Sequence, residues 1–369
     1  MTSNIWQTSA TLVVPLDVFG SGLVHDDQCA YRHPAIVFLA NKLFIVFCEK
    51  QVDDSYTIGL SRRGRLMEYN RVEWEDQQPI LKKTDTRFQN LVPIVVDEKK
   101  GEIILLCVEC TAPQGGVKLI QLKSSSGETW SDPIDVHLKW PENMQESAQL
   151  CCIGPGHGLC LQSGKLAVAG YIKFSEQVQL CVLTSDISGG TWEVVPISCS
   201  PGNAVFGGHA QLVEYAKDKV CITCSLKDCK QRFNVFSSDG CKTFHNGKLK
   251  PKLIEANPGC QAGIISIPSE RKKGLSLIAF TNPAHESRFE KLSLRLSEDG
   301  GETWTDPCPP LIGRSSAACS DLAYYKGKDD RGLACVYENI NITEGKKKND
   351  YCILMQLISL DEIMHKKGK

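Results

Sequence analysis

Apolar residues fall in short runs with strand-like character rather than at helical spacing. Residues 35–39 (AIVFL), 42–47 (KLFIVF), 91–96 (LVPIVV), 165–169 (KLAVA) and 275–280 (LSLIAF) are examples, separated by turns rich in Gly, Asn, Asp and Lys. Helical periodicity is confined to residues 360–365, so a short C-terminal helix and tail are expected over 358–369. The remainder reads as all-β.

A motif recurs within this pattern. Its cleanest copy runs from Ser297 through Asp299 and Gly301 to Thr303-Trp304, in the form Ser-x-Asp-x-Gly-x-Thr-Trp. A second spans Ser237, Asp239, Cys241 and Thr243-Phe244, and weaker copies end at Trp192 and Trp130. The aromatic ends at 130, 192, 244 and 304 lie 62, 52 and 60 residues apart. Asp and Ser side chains satisfy amides in a tight turn, Gly takes the backbone angles other residues resist, and the aromatic anchors the turn. A repeat of this length suggests propeller blades, and 369 residues accommodate six in one domain.

Composition narrows the function. Lys+Arg is 42 and Asp+Glu 43, a net charge of -1, which argues against nucleic-acid binding by bulk electrostatics. There is no run of about 18 apolar residues and no basic leader, so a cytoplasmic protein without a membrane span is expected. Its 18 cysteines are then expected as reduced, mostly buried thiols. Cys107/Cys110 and Cys221/Cys224 have the spacing of zinc ligands. Each pair lies in a strand-like run, however, where residues three apart point to opposite faces. The lysines at 346–348 and 366–369 offer a weak peripheral membrane contact, a solvated loop and a frayed end being the simpler reading.

The repeat resembles the Asp box of sialidases. Tyr31-Arg32-His33-Pro34 is similar to the Tyr/Phe-Arg-Ile-Pro signature of that superfamily, and Ser320-Asp321-Leu322 with Val336-Tyr337-Glu338 is similar to its C-terminal stretch. Gly154-Pro155-Gly156-His157 and Gly259-Cys260-Gln261 resemble animal cytosolic-type members. The resemblance spans about 18–357 and implies a six-bladed propeller core over that range, whose mouth takes the terminal sialic acid of a glycoprotein or glycolipid glycan. No metal or organic cofactor is required by that chemistry.

Sialic acid carries a carboxylate on its anomeric carbon, so a neutral tyrosine nucleophile avoids the repulsion a carboxylate would meet. Cationic groups for the substrate carboxylate, an acid and a base complete the set. The resemblance puts Arg32 at the first carboxylate-binding position, Tyr337 at the nucleophile, and Asp53 or Asp54 at the acid. It puts Asn90, Tyr171 and Gln261 against the sugar. His209 stands where the family has its glutamate base. Lys227 or Arg232 stands for the second arginine and Arg288 for the third. A neutral imidazole accepts a phenol proton but does not stabilise positive charge as a carboxylate does. Three readings follow: a retaining exo-α-sialidase with an unusual base, a sialoglycan-binding lectin that has lost turnover, and a protein-binding scaffold.

Overall fold

The computed structural model describes residues 16–19, 30–52, 56–111, 117–144, 148–174, 177–198, 206–256, 259–268, 274–307, 316–327, 331–341 and 350–360. The described strands form six sheets, five of four strands or more and one of three. The innermost strands are Ala30–Leu39, Thr86–Asp97, Ala148–Ile153, Phe206–Ala216, Gly263–Ile267 and Ser316–Lys326. From each, the chain steps outward through antiparallel neighbours. Each sheet packs on the next, and the sheet of Ser316–Lys326 packs on that of Ala30–Leu39. The arrangement is a β-propeller. Leu16–Phe19 pairs with Asp350–Ser359, so the last sheet is completed by a strand from near the start of the chain.

The apolar runs are explained by burial on both strand faces. Leu105 packs in the seam with Val37 and Phe47 of the preceding sheet, whereas Leu106 packs with Val168 and Leu183 of the following one. Leu212 and Val213 divide in the same way. Among the described residues, hydrophobic clusters fill the seams between successive sheets, which is why the alternation expected of a one-sided sheet is muted. The cysteine pairs obey the same geometry: Cys221 and Cys224 enter different seams, as do Cys107 and Cys110. The described cysteines are free thiols.

The repeated turns are held by their own side chains. Ser297 Oγ donates to Asp299 Oδ1 at 2.8 Å and accepts from the Gly301 amide at 2.8 Å. Asp299 Oδ1 accepts from the Thr303 amide at 2.9 Å. Ser237, Asp239 and Thr243 repeat this arrangement, with Cys241 at φ 66° where glycine is expected. Asp350–Ser359 is one strand, its apolar residues paired along Arg331–Asn341, so a C-terminal element can begin only at Leu360; the expected helix otherwise lies outside the described residues. Residues 361–369 and 342–349, with both lysine runs, lie outside the described residues. No described helix is long and apolar enough to cross a membrane.

Candidate active site

Five of the innermost strands carry a register shift near their first residues: between Arg32 and Ala35, Gln89 and Val92, Leu150 and Cys152, Gly208 and Gln211, and Ala317 and Ser320. His33, Asn90 and His209 occupy these irregularities with φ of 50, 55 and 56°. Asn and His tolerate that conformation better than most residues. A bulge re-aims side chains away from the regular in-out alternation. Candidate residues from distant parts of the sequence thereby converge at one end of the ring.

Arg32 is the centre of this convergence. Its Nε donates to Glu338 Oε1 at 3.0 Å, and its guanidinium lies 4.4 Å from the centroid of the Tyr351 ring. Burial works against the charge of Arg32, but Glu338 outweighs it and raises the pKa. The side chain stays 32% exposed, so the guanidinium is propped from behind and open in front. Glu338 Oε1 also accepts from the His33 amide at 2.8 Å. The His33 ring meets Glu49 Oε1 at 3.2 Å, and Glu49 takes the Asn90 amide as well. Asn90 Nδ2 donates to the Ile153 carbonyl at 2.8 Å, which turns the amide toward the neighbouring sheet.

His209 adjoins this group. Burial first, then the charges of His33, Arg232 and Arg32, hold its pKa down at about 3. It is neutral at physiological pH, and its buried Nδ1 has no hydrogen-bond partner among the described residues.

Behind the rim, Asp321 ties the ring together. Its carboxylate meets the His157 ring at 2.9 Å, accepts from Gln211 Nε2 at 3.2 Å and from the Ile36 amide at 3.0 Å. These partners belong to separate sheets or their connections. A Cβ on Gly156 would lie 1.5 Å from Gln211 Nε2, which accounts for the glycine before His157. Gln261 is fully buried and its Nε2 donates to the Pro34 carbonyl at 2.6 Å, an internal brace that corrects the expectation of a sugar contact.

Other expected residues are engaged elsewhere. Arg232 is fully buried: Nη1 meets Glu255 Oε2 and the Cys260 carbonyl, Nη2 the His209 carbonyl, and Nε the Thr223 hydroxyl. Its donors are consumed inside the protein, which corrects the expectation of a substrate ligand. Arg288 is 62% exposed and pairs with Glu290 at 3.3 Å, a surface arrangement rather than a pocket one. Lys227 is exposed at the end of its strand. Tyr171 is buried in the seam with Ala169, Leu180 and Phe206, a core position that corrects the expectation of a sugar contact. Tyr337 is 1% exposed, packs beside Leu322 and Cys335, and has its pKa raised by burial. Asp53 and Asp54 lie outside the described residues. Glu49, Glu338, His157 and Tyr351 were not among the expected residues; the signal for Glu338 was its place beside Tyr337.

The BNR repeat-like domain model matches residues 44–310, well over half of the chain. The chain belongs to the BNR repeat-like family of the sialidase superfamily. It is 24% identical to Sialidase-3 of Rattus norvegicus, covering 91% of this chain and 94% of that protein. Sialidase-3 of Mus musculus is 27% identical over 88% of this chain and 90% of that protein. The solved structure of the Hadza microbial sialidase Hz136 superposes with a TM-score of 0.69 at 21% identity, covering 91% of this chain and 67% of that one. Within this superfamily frame, the rim around Arg32 is the part of the propeller where the signature residues gather.

Proposed function

We propose that the protein is an exo-α-sialidase, a single propeller domain of six blades with Asp-box turns, acting in the cytoplasm on sialylated glycans. The observation that carries this reading is Arg32, held by Glu338 over Tyr351 and open on its remaining side. A guanidinium so braced suits the carboxylate of a terminal sialic acid. In the proposed retaining mechanism, Tyr337 Oη attacks the anomeric carbon and its proton passes to His209. Asp53 or Asp54 protonates the departing glycosidic oxygen. Water then cleaves the tyrosyl–sugar bond, the acid acting as base in the second step. Asn90 lines the approach, and Lys227 supplies long-range positive charge.

One observation favours a second reading, a sialoglycan-binding protein without turnover. Arg232 is spent on Glu255, His209 is a weak base, and the Tyr337 proton is held more tightly than usual. Incubation with a fluorogenic α-sialoside beside a Tyr337→Phe variant separates the two. Hydrolysis that disappears in the variant supports the enzyme. No hydrolysis at any pH, with sialyllactose still bound, supports the lectin.

A further inference from the structure

We infer that His33, Cys319 and Glu338 form a binding site for a thiophilic divalent cation, zinc foremost, beside Arg32. One potential ligand atom from each residue lies within 4.8 Å of the others. Glu338 supplies a second, independent sign. Its side chain is fully buried, Oε1 is occupied by Arg32 and the His33 amide, and Oε2 has no hydrogen-bond partner among the described residues. A buried carboxylate oxygen left this way lacks the partner that buried polar atoms nearly always have.

The ligand types select the metal. Thiolate, imidazole and carboxylate suit zinc, whereas calcium and magnesium take oxygen ligands. Glu49 Oε1 lies 3.2 Å from His33 Nδ1. A carboxylate accepts only, so Nδ1 carries the proton and Nε2 keeps its lone pair for a metal. This is the carboxylate–histidine arrangement that commonly backs a zinc ligand, with Glu49 as the positioning residue. Zinc requires donors about 3.5 Å apart at bonds of roughly 2.0–2.3 Å. The 27% exposed His33 side chain has room to shift together with its Glu49 partner, which closes the difference.

Charge permits the site despite the adjacent guanidinium. On binding, Cys319 Sγ releases its proton to solvent and becomes a thiolate. Binding brings two positive charges and releases one proton, a net gain of one, which the new thiolate and the unpartnered Glu338 Oε2 offset at close range. Three protein ligands leave a fourth position for water. The superfamily signature has isoleucine where this chain has His33, so the site belongs to this chain's departure from the pattern.

Titration of the full-length protein with Co2+, followed by the thiolate-to-metal charge-transfer absorption and by Zn2+ displacement, tests this. We expect one equivalent that Zn2+ displaces, lost in Cys319→Ser and in His33→Ile. Glu49→Gln should weaken it by about 10- to 100-fold. Circular dichroism identifies any variant that fails to fold; His33→Ile restores the signature residue and serves if Cys319→Ser does not fold. Absence of the band in the wild type, or an equal band in folded His33→Ile, overturns the site. This readout is independent of sialoside hydrolysis, so the two proposals fail separately.

Discussion

Glu338 reaches across 306 positions of sequence to hold Arg32, its Oε1 3.0 Å from the arginine Nε. The pair joins the last sheet to the first, and one carboxylate oxygen both orients the guanidinium and fixes the His33 amide in its left-handed bulge. Site geometry and ring closure thus rest on the same group.

Replacing Glu338 with Gln keeps the shape and removes the charge. Arg32 should lose its fixed orientation, and sialyllactose affinity should fall by ten- to hundredfold, the equivalent of about 1.5–3 kcal/mol for a charged hydrogen bond. Calorimetric titration checks this. Unchanged affinity would mean that Arg32 does not take the substrate carboxylate.

Asp321 has a structural part. It is fully buried and receives His157, Gln211 and the Ile36 amide. Asp321→Ala should lower the unfolding free energy by about 3–5 kcal/mol, because it leaves a buried donor set unpaired. Urea denaturation at pH 7 measures it as a fall in midpoint.

The histidines titrate in opposite directions. His209 has a folded pKa of about 3, below its unfolded value. Its contribution to stability is present above about pH 6.5 and is lost as pH falls toward 3. His157 is raised, burial opposing and Asp321 prevailing, so its contribution is present below about pH 6.5 and is lost as pH rises through the folded value. Between about pH 4.5 and 6 the one-proton difference at His209 adds a slope of up to about 1.4 kcal/mol per pH unit. His209→Gln should flatten stability in that window relative to wild type. In the same vein, a sialidase using neutral His209 should keep its activity below pH 6 as far as this residue is concerned.

How much was legible in the sequence depends on what each residue reports. The all-β class could be read from apolar runs such as 42–47, because strands buried between two seams are apolar on both faces. The turns at Ser297 and Ser237 were legible because their chemistry is local: each side chain bonds within four residues. Arg32 came from its motif. Glu49 and Asp321 act through partners 41 and 285 positions away, and nothing local in the sequence announces those pairings. Arg232 illustrates the converse error. A family position near it predicted a substrate ligand, but the register of Gln231–Ser237 turns its side chain inward to Glu255.

That inward pairing gives the last prediction. Arg232 and Glu255 are both buried, and Glu255 keeps burial pushing its pKa up despite the arginine beside it. Arg232→Met removes one partner and should destabilise by about 3–5 kcal/mol, because the carboxylate is left without compensation. The double variant Arg232→Met with Glu255→Leu removes both charges and should recover much of that loss, since a buried pair replaced by apolar groups of similar volume is often neutral. Thermal and urea unfolding of the wild type, both single variants and the double variant form the cycle. A ligand role for Arg232 predicts something else: normal stability in the single variant with sialyllactose affinity lost. Recovery of stability and of ligand binding together in the double variant would assign Arg232 to the scaffold and leave Arg32 as the guanidinium that meets the carboxylate.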